Sequence, residues 1–145
     1  MKIRILLLSL ICSAAAVTGV NAAEGKAKGG DKDETVLGGH MDKMGGAFRK
    51  LKRQISDASK NADSLTLVAT IKAAGIESAK EKPAWKPEDA AKFQAKMKDF
   101  NAKVDKLEAA LKANDNATAA KICDELGQAQ KEGHKEFKKP DEKKK

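Results

Sequence analysis

The sequence contains no tyrosine, a single tryptophan and only four phenylalanines. It offers no serine–histidine–acid set that could act as a triad, and its glycine pairs, Gly38-Gly39 and Gly45-Gly46, lack the spacing of a phosphate-cradling loop. Triad and nucleotide-dependent catalysis are therefore excluded, and no enzyme is expected. Cysteine is just as scarce, with Cys12 and Cys123 alone. Long apolar runs are absent too, except for Ile5 to Val20. That run is too short and poorly flanked for a membrane span, and Ser9-Leu10-Ile11-Cys12 has no small residue before the cysteine, as a lipoprotein signal would want. With basic Lys2 and Arg4 ahead of it and Val20-Asn21-Ala22 behind, it reads as a secretory signal cut after about Ala22. A periplasmic or otherwise exported protein is expected. Cys12 would leave with the signal, so one thiol remains, a disulfide framework is excluded, and Cys123 is expected to be a small core residue.

At 145 residues the chain supports one domain, and its richness in Ala, Lys, Glu and Leu favours an all-helical one. Loss of Lys2 and Arg4 lowers the formal charge of +8 by two, to +6, much of it in the tail from Lys138 to Lys145. Basic charge can signal nucleic acid, but export argues against that partner; acidic proteins or anionic lipid surfaces fit better. Residues 1–22 are thus assigned to the signal peptide, 23–35 to a Gly- and Lys-rich disordered lead-in, 36–139 to the folded domain and 140–145 to a basic tail.

Periodicity defines four helices. Met41, Met44, Phe48, Leu51 and Ile55 recur at intervals of three and four, one continuous helical face that is expected to end near Ser59 to Ala62. A second helix carries Leu65, Val68, Ile71, Ala74 or Gly75, and Ala79 until Pro83 stops it. After the linker from Pro83 to Pro87, proline and two acids open a third helix with the stripe Phe93, Met97, Phe100, Val104, Leu107, Leu111. Asn114-Asp115-Asn116 turns the chain. The fourth helix then presents Ala119, Ile122 or Cys123, Leu126, Ala129 or Gln130, and Gly133, with His134 and Phe137 beyond. Such helices with short connections predict an antiparallel up-down-up-down four-helix bundle.

In that topology the first and last helices are neighbours, so Met41 and Met44 come to the end that holds His134. A thioether facing an imidazole across a core is an axial pair for haem iron. The same end is expected to gather Phe48, Phe93, Phe100 and Phe137, with Trp85 in the loop that closes it. An aromatic slot with one imidazole suits an apolar macrocycle with a polar metal centre. The plainer reading is that these are core residues of an ordinary bundle. On that reading His134 simply complements the dipole of its helix's last turn, and the protein is a haem-free binding or chaperone-like bundle. A third reading, cuprous-ion buffering by Met41, Met44 and His40, lacks the usual dense Met or His repeats.

Three stretches carry a family resemblance. His40-Met41-Asp42-Lys43-Met44 resembles the ligand turn that opens the first helix of cytochrome b562. Met97-Lys98-Asp99-Phe100 is similar to that family's third-helix segment, and Leu126 to Phe137 to its last helix. The resemblance runs from about His40 to Lys138 and implies one haem b per chain in a periplasmic electron carrier. It further implies iron held by Met41 as sixth ligand and His134 as fifth, with Met44 as the alternative sulfur and Phe93, Phe100 and Phe137 around the cofactor. Met97 is expected in the core, and His40 in solvent about a hundred degrees from Met41, which leaves a bis-histidine site as a lesser alternative. Gln130 and Gly133 stand where covalent attachment would need cysteines, so the haem would be dissociable. Lys135, Lys138 and Lys139 could pair with its propionates or form an ordinary solvated face. The implied partners are acidic redox proteins, met by a monomer.

Overall fold

The computed structural model describes residues 35–139. The expected signal peptide, most of the lead-in and the basic tail lie outside the described residues. Four helices, α1 (Val36–Gln54), α2 (Asn61–Ser78), α3 (Ala90–Lys112) and α4 (Asn116–Phe137), form an all-α antiparallel bundle. Among the described residues no helix is long and apolar enough to cross a membrane.

Local chemistry sets the helix limits. α1 begins earlier than its apolar stripe, because the Thr35 hydroxyl accepts a hydrogen bond from Gly38 N at 3.0 Å and caps it. Gly38, Gly39 and His40 therefore lie inside the helix. It also stops sooner than expected, at Gln54. Beyond it the Asp57 carboxylate accepts from Ser59 N at 3.0 Å and from the Ser59 hydroxyl at 2.6 Å, which favours a short 3-10 turn, Ala58–Lys60, over continued helix. Pro87 opens another such turn, Pro87–Asp89, ahead of α3. Asn114 adopts φ 56°, a left-handed conformation that asparagine tolerates, and Asp115 caps α4 by accepting from Thr118 N at 3.0 Å.

The core contains Leu51, Val68, Ile71, Val104, Leu107 and Leu126, none of which retains solvent exposure. On α2 the buried face departs from the apolar pattern. Ser64 and Ser78 are wholly buried, while Leu65 and Ala79 are only half-buried. The serines are tolerated there because both are satisfied: Gln54 Nε2 donates to Ser64 Oγ at 3.0 Å, and Ser78 Oγ donates to the Ala74 carbonyl at 2.8 Å. Cys123 is 1 % exposed, and burial pushes its thiol pKa up to about 11, so it stays protonated.

One end of the bundle is latched by asparagines. Asn116 Nδ2 donates to the Ile55 carbonyl at 2.7 Å and to Asn61 Oδ1 at 2.8 Å, and Asn61 Nδ2 donates to Asn114 Oδ1 at 2.9 Å. The close of α1 and the starts of α2 and α4 are thereby pinned together. Away from this latch the four seams differ. α1 packs closely on α2, α2 on α3 and α3 on α4, whereas α1 and α4 meet through side chains rather than by close backbone approach.

Gly46, on the outer side of α1, has nothing within 4 Å of where a Cβ would stand. Glycine in a helix interior costs up to about 1 kcal/mol relative to alanine. Gly46→Ala should therefore stabilise the fold by up to that amount. A lower denaturation midpoint in urea would show that the site is not open.

Candidate functional site

The α1–α4 seam can be followed rung by rung. From the asparagine latch, Ile55 meets Asn116, then Lys52 Nζ meets Asp124 Oδ1 at 3.3 Å. Next, the Phe48 ring stands 3.7 Å from where a Cβ on Gly127 would lie, and one turn on, Gly45 faces Gln130, whose Nε2 is 3.9 Å from the equivalent point. From Lys52 onward, each step back along α1 is matched by a similar step forward along α4. Continued by one more turn on each helix, the same stepping leads to Met41 on α1 and to His134 on α4.

Met41 is half-buried and packs against the core, while Met44 is 6 % exposed and belongs to the core itself. Three residues along a helix differ in direction by about 60°, which explains the difference: Met41 falls on the side that bears Gly45 and Phe48, and Met44 points inward. His134 is exposed as a residue, yet its imidazole has a pKa below the usual histidine value, through burial first and the nearby Lys138 charge second. Both causes favour the neutral ring, the form that binds a metal.

Phe93 and Phe137 gather at this end as expected, with ring centroids 5.3 Å apart and planes at 78°, an edge-to-face pair. Both are buried. The salt bridges of Lys92 and Lys96 to Glu136 hold the start of α3 against the end of α4 beside them. Phe48 and Phe100 are buried as well, but they do not share that end. The rungs place Phe48 level with Gly127, and the contact between Gly75 and Asn101 places Phe100 near the middle of α3. The helices are long enough that residues two or three turns from a terminus already lie mid-bundle. Trp85 occupies the loop before α3 at 46 % exposure, so it borders the end without sealing it. Met97 is core, at 7 % exposed.

His40 differs from expectation. It is half-buried rather than in solvent, and it lies near Glu77 of α2, whose carboxyl is held low chiefly by Lys80 and to a lesser degree by His40. It thus lies on the α2 side of α1. Among the described residues no group of three or more histidine, cysteine or acidic side chains is placed to hold a metal ion. A surface groove lies elsewhere, between α1 and α2, lined by Lys50, Arg53, Gln54, Asp63, Thr66 and Leu67.

The arrangement suits a flat metal complex. A thioether on α1 and an imidazole on α4 lie one turn beyond the last rung on each side, and the seam between these helices is the one that close backbone packing does not seal. Donors of this type, set beside apolar and aromatic side chains, match the axial requirements of a haem iron. Sequence periodicity located these residues but could not see the buried serines or the asparagine latch, since polar side chains leave no mark on an apolar stripe.

Comparison with known proteins agrees with this geometry. The sequence model described as cytochrome b562 matches residues 36–138, a span that takes in all four helices together with Met41 and His134. No curated protein and no solved structure gives a significant match. By a match that runs the length of the bundle, the chain belongs to the cytochrome b562 family of haem-binding electron-transfer proteins.

Proposed function

We propose that the protein is a periplasmic one-electron carrier that binds one dissociable haem b per chain between Met41 and His134. The observation that carries this reading is the rung order of the α1–α4 seam, which runs toward a common level for the two residues. When bound, the haem supplies reversible one-electron chemistry at its iron. The protein's own contribution is to hold and tune that centre. Met41 and His134 would hold the iron between them, and a metal held by two protein ligands would leave small molecules no ready place to bind and favour outer-sphere exchange over catalysis. With haem bound, an uncharged thioether ligand would favour the reduced ion, and apolar side chains such as Met44, Phe93 and Phe137 would penalise the extra charge of the oxidised one. With Gln130 and Gly133 in place of cysteines, no covalent attachment forms. Acidic redox proteins are the fitting partners for a basic surface, and the leader sequence fits export.

The test is an absorption spectrum of purified protein with added hemin, oxidised and then reduced. Sharp low-spin bands in both states are expected. A colourless protein that refuses hemin would overturn the reading in favour of a haem-free bundle.

Acid should act through His134. Its folded pKa lies below the unfolded value of 6.5, so the unfolded chain takes up the proton first and the folded apoprotein loses stability as pH falls from 6.5 to the lower folded value. Below that value the loss levels off. An NMR titration of the His134 ring in the apoprotein should place its midpoint under 6.5; a midpoint at or above 6.5 contradicts the burial described.

A further inference from the structure

Charge on the bundle is unevenly answered. On α3, Lys92, Lys96, Lys103 and Lys112 each meet a carboxylate, and on α2 Lys72 meets both Asp105 and Glu108. α1 is different. It carries Lys43, Arg49, Lys50, Lys52 and Arg53 against one acid, Asp42, and of these cations only Lys52, turned to α4, makes an ion pair among the described residues. Lys43, Gly46, Lys50 and Arg53 step by three, four and three, so they share the outward face of the helix, with Arg49 beside them. All four unpaired cations are exposed. Gly46 keeps the strip low, with nothing within 4 Å of where its Cβ would stand. The face also has relief. Lys50 and Arg53 line the groove between α1 and α2, to which α2 contributes Asp63, Thr66 and Leu67.

A field of one sign on a single face steers and holds a surface of the other sign. We propose that the outward face of α1, together with this groove, docks an acidic protein partner through a patch of carboxylates. A protein surface fits better than a lipid one for two reasons. The exposed large apolar side chains among the described residues are Val36, Ile76 and Trp85, and none lies within the stretch from Lys43 to Arg53, whereas a helix that lies on a membrane sinks an apolar face into it. Asp42 and Asp63 would also repel lipid phosphates, but a protein can set a basic or hydroxyl side chain against each. What the partner does rests on the carrier reading above; where it binds rests on the charge pattern alone. Lys43 is two residues from Met41 and, at about 100° per residue, nearly opposite it on the helix. Only α1 would then stand between such a partner and the iron.

The probe is poly-L-glutamate, titrated into the isotopically labelled full chain without haem at low ionic strength, where exposed charges are least screened, and followed residue by residue by NMR. Amide shifts should gather on the stretch from Lys43 to Arg53 and on Asp63 to Leu67. Lys50→Glu combined with Arg53→Glu should weaken binding roughly tenfold, since two attractions are replaced by repulsions at a solvated surface. Lys98→Glu combined with Lys106→Glu makes an equal change of net charge at two exposed lysines of α3, and it should weaken binding distinctly less. Equal losses from the two double variants, or shifts confined to other helices or to the C-terminal lysines, would overturn the assignment. So would tighter binding to phosphatidylglycerol vesicles than to poly-L-glutamate with the same loss in the α1 variant, which would make the face a lipid one. Matching far-ultraviolet circular dichroism confirms that both variants remain folded. Both should take up hemin with the wild-type spectrum; if wild type takes up none, the carrier reading falls while the mapped face stands.

Discussion

His134→Ala is expected to abolish the low-spin haem spectrum and to weaken hemin binding by at least about 100-fold. Losing only the groups that orient a metal ligand already costs roughly 10- to 100-fold, and here a ligand itself would go. Met41→Ala should convert the spectrum from low-spin to high-spin, with a smaller loss of affinity, because the imidazole on α4 remains. Met44→Ala separates ligand from core. Met44 is 6 % exposed and packs with the interior, so its loss should lower stability by about 2 to 5 kcal/mol while the low-spin bands persist. The reverse pattern, bands lost with Met44→Ala and kept with Met41→Ala, would move the sulfur ligand one turn inward and break the rung order. Spectra of the three variants under equal hemin loading decide the matter.

Leu126→Ala should be among the most damaging substitutions for the fold itself. Leu126 is completely buried on α4, and truncating such a side chain removes its transfer energy and leaves a cavity, a cost of about 2 to 5 kcal/mol. For a domain stable by only about 5 to 15 kcal/mol, that is a large share. Ile122 provides the control. It lies one turn away on the same helix but is only half-buried, so Ile122→Ala should cost distinctly less. Urea denaturation of the apoprotein measures both, and equal losses would mean that α4 is rotated from the orientation described.

Much of the fold is legible in the order of apolar residues. The stripes of Phe93, Met97, Phe100, Val104, Leu107 and Leu111 on α3, and of Met44, Phe48, Leu51 and Ile55 on α1, are buried as their spacing predicts, because a helical face that turns inward must be apolar at that period. Less legible are the places where a polar group is buried or a helix changes course. Leu65 has the spacing of a core position, yet Ser64 takes the wholly buried place, since Gln54 can satisfy its hydroxyl. The early stop of α1 depends on a hydrogen bond between Asp57 and Ser59 that competes with helix only once the chain has room to turn.

The site divides along the same line. Residue types and order alone determined that a thioether and an imidazole stand at opposite ends of the chain, that no cysteine pair could tether a haem, and that the helices between them would bring those ends together. Only the tertiary structure decided that Met44 belongs to the core while Met41 is half-buried beside it, that His40 turns to α2, and that Gly45 faces Gln130. Those outcomes depend on the rotation and register of α1 against α4, which arise from contacts such as Asn116 with Ile55 and Lys52 with Asp124. Contacts between residues so far apart along the chain leave no trace in local periodicity, so they emerge only in three dimensions.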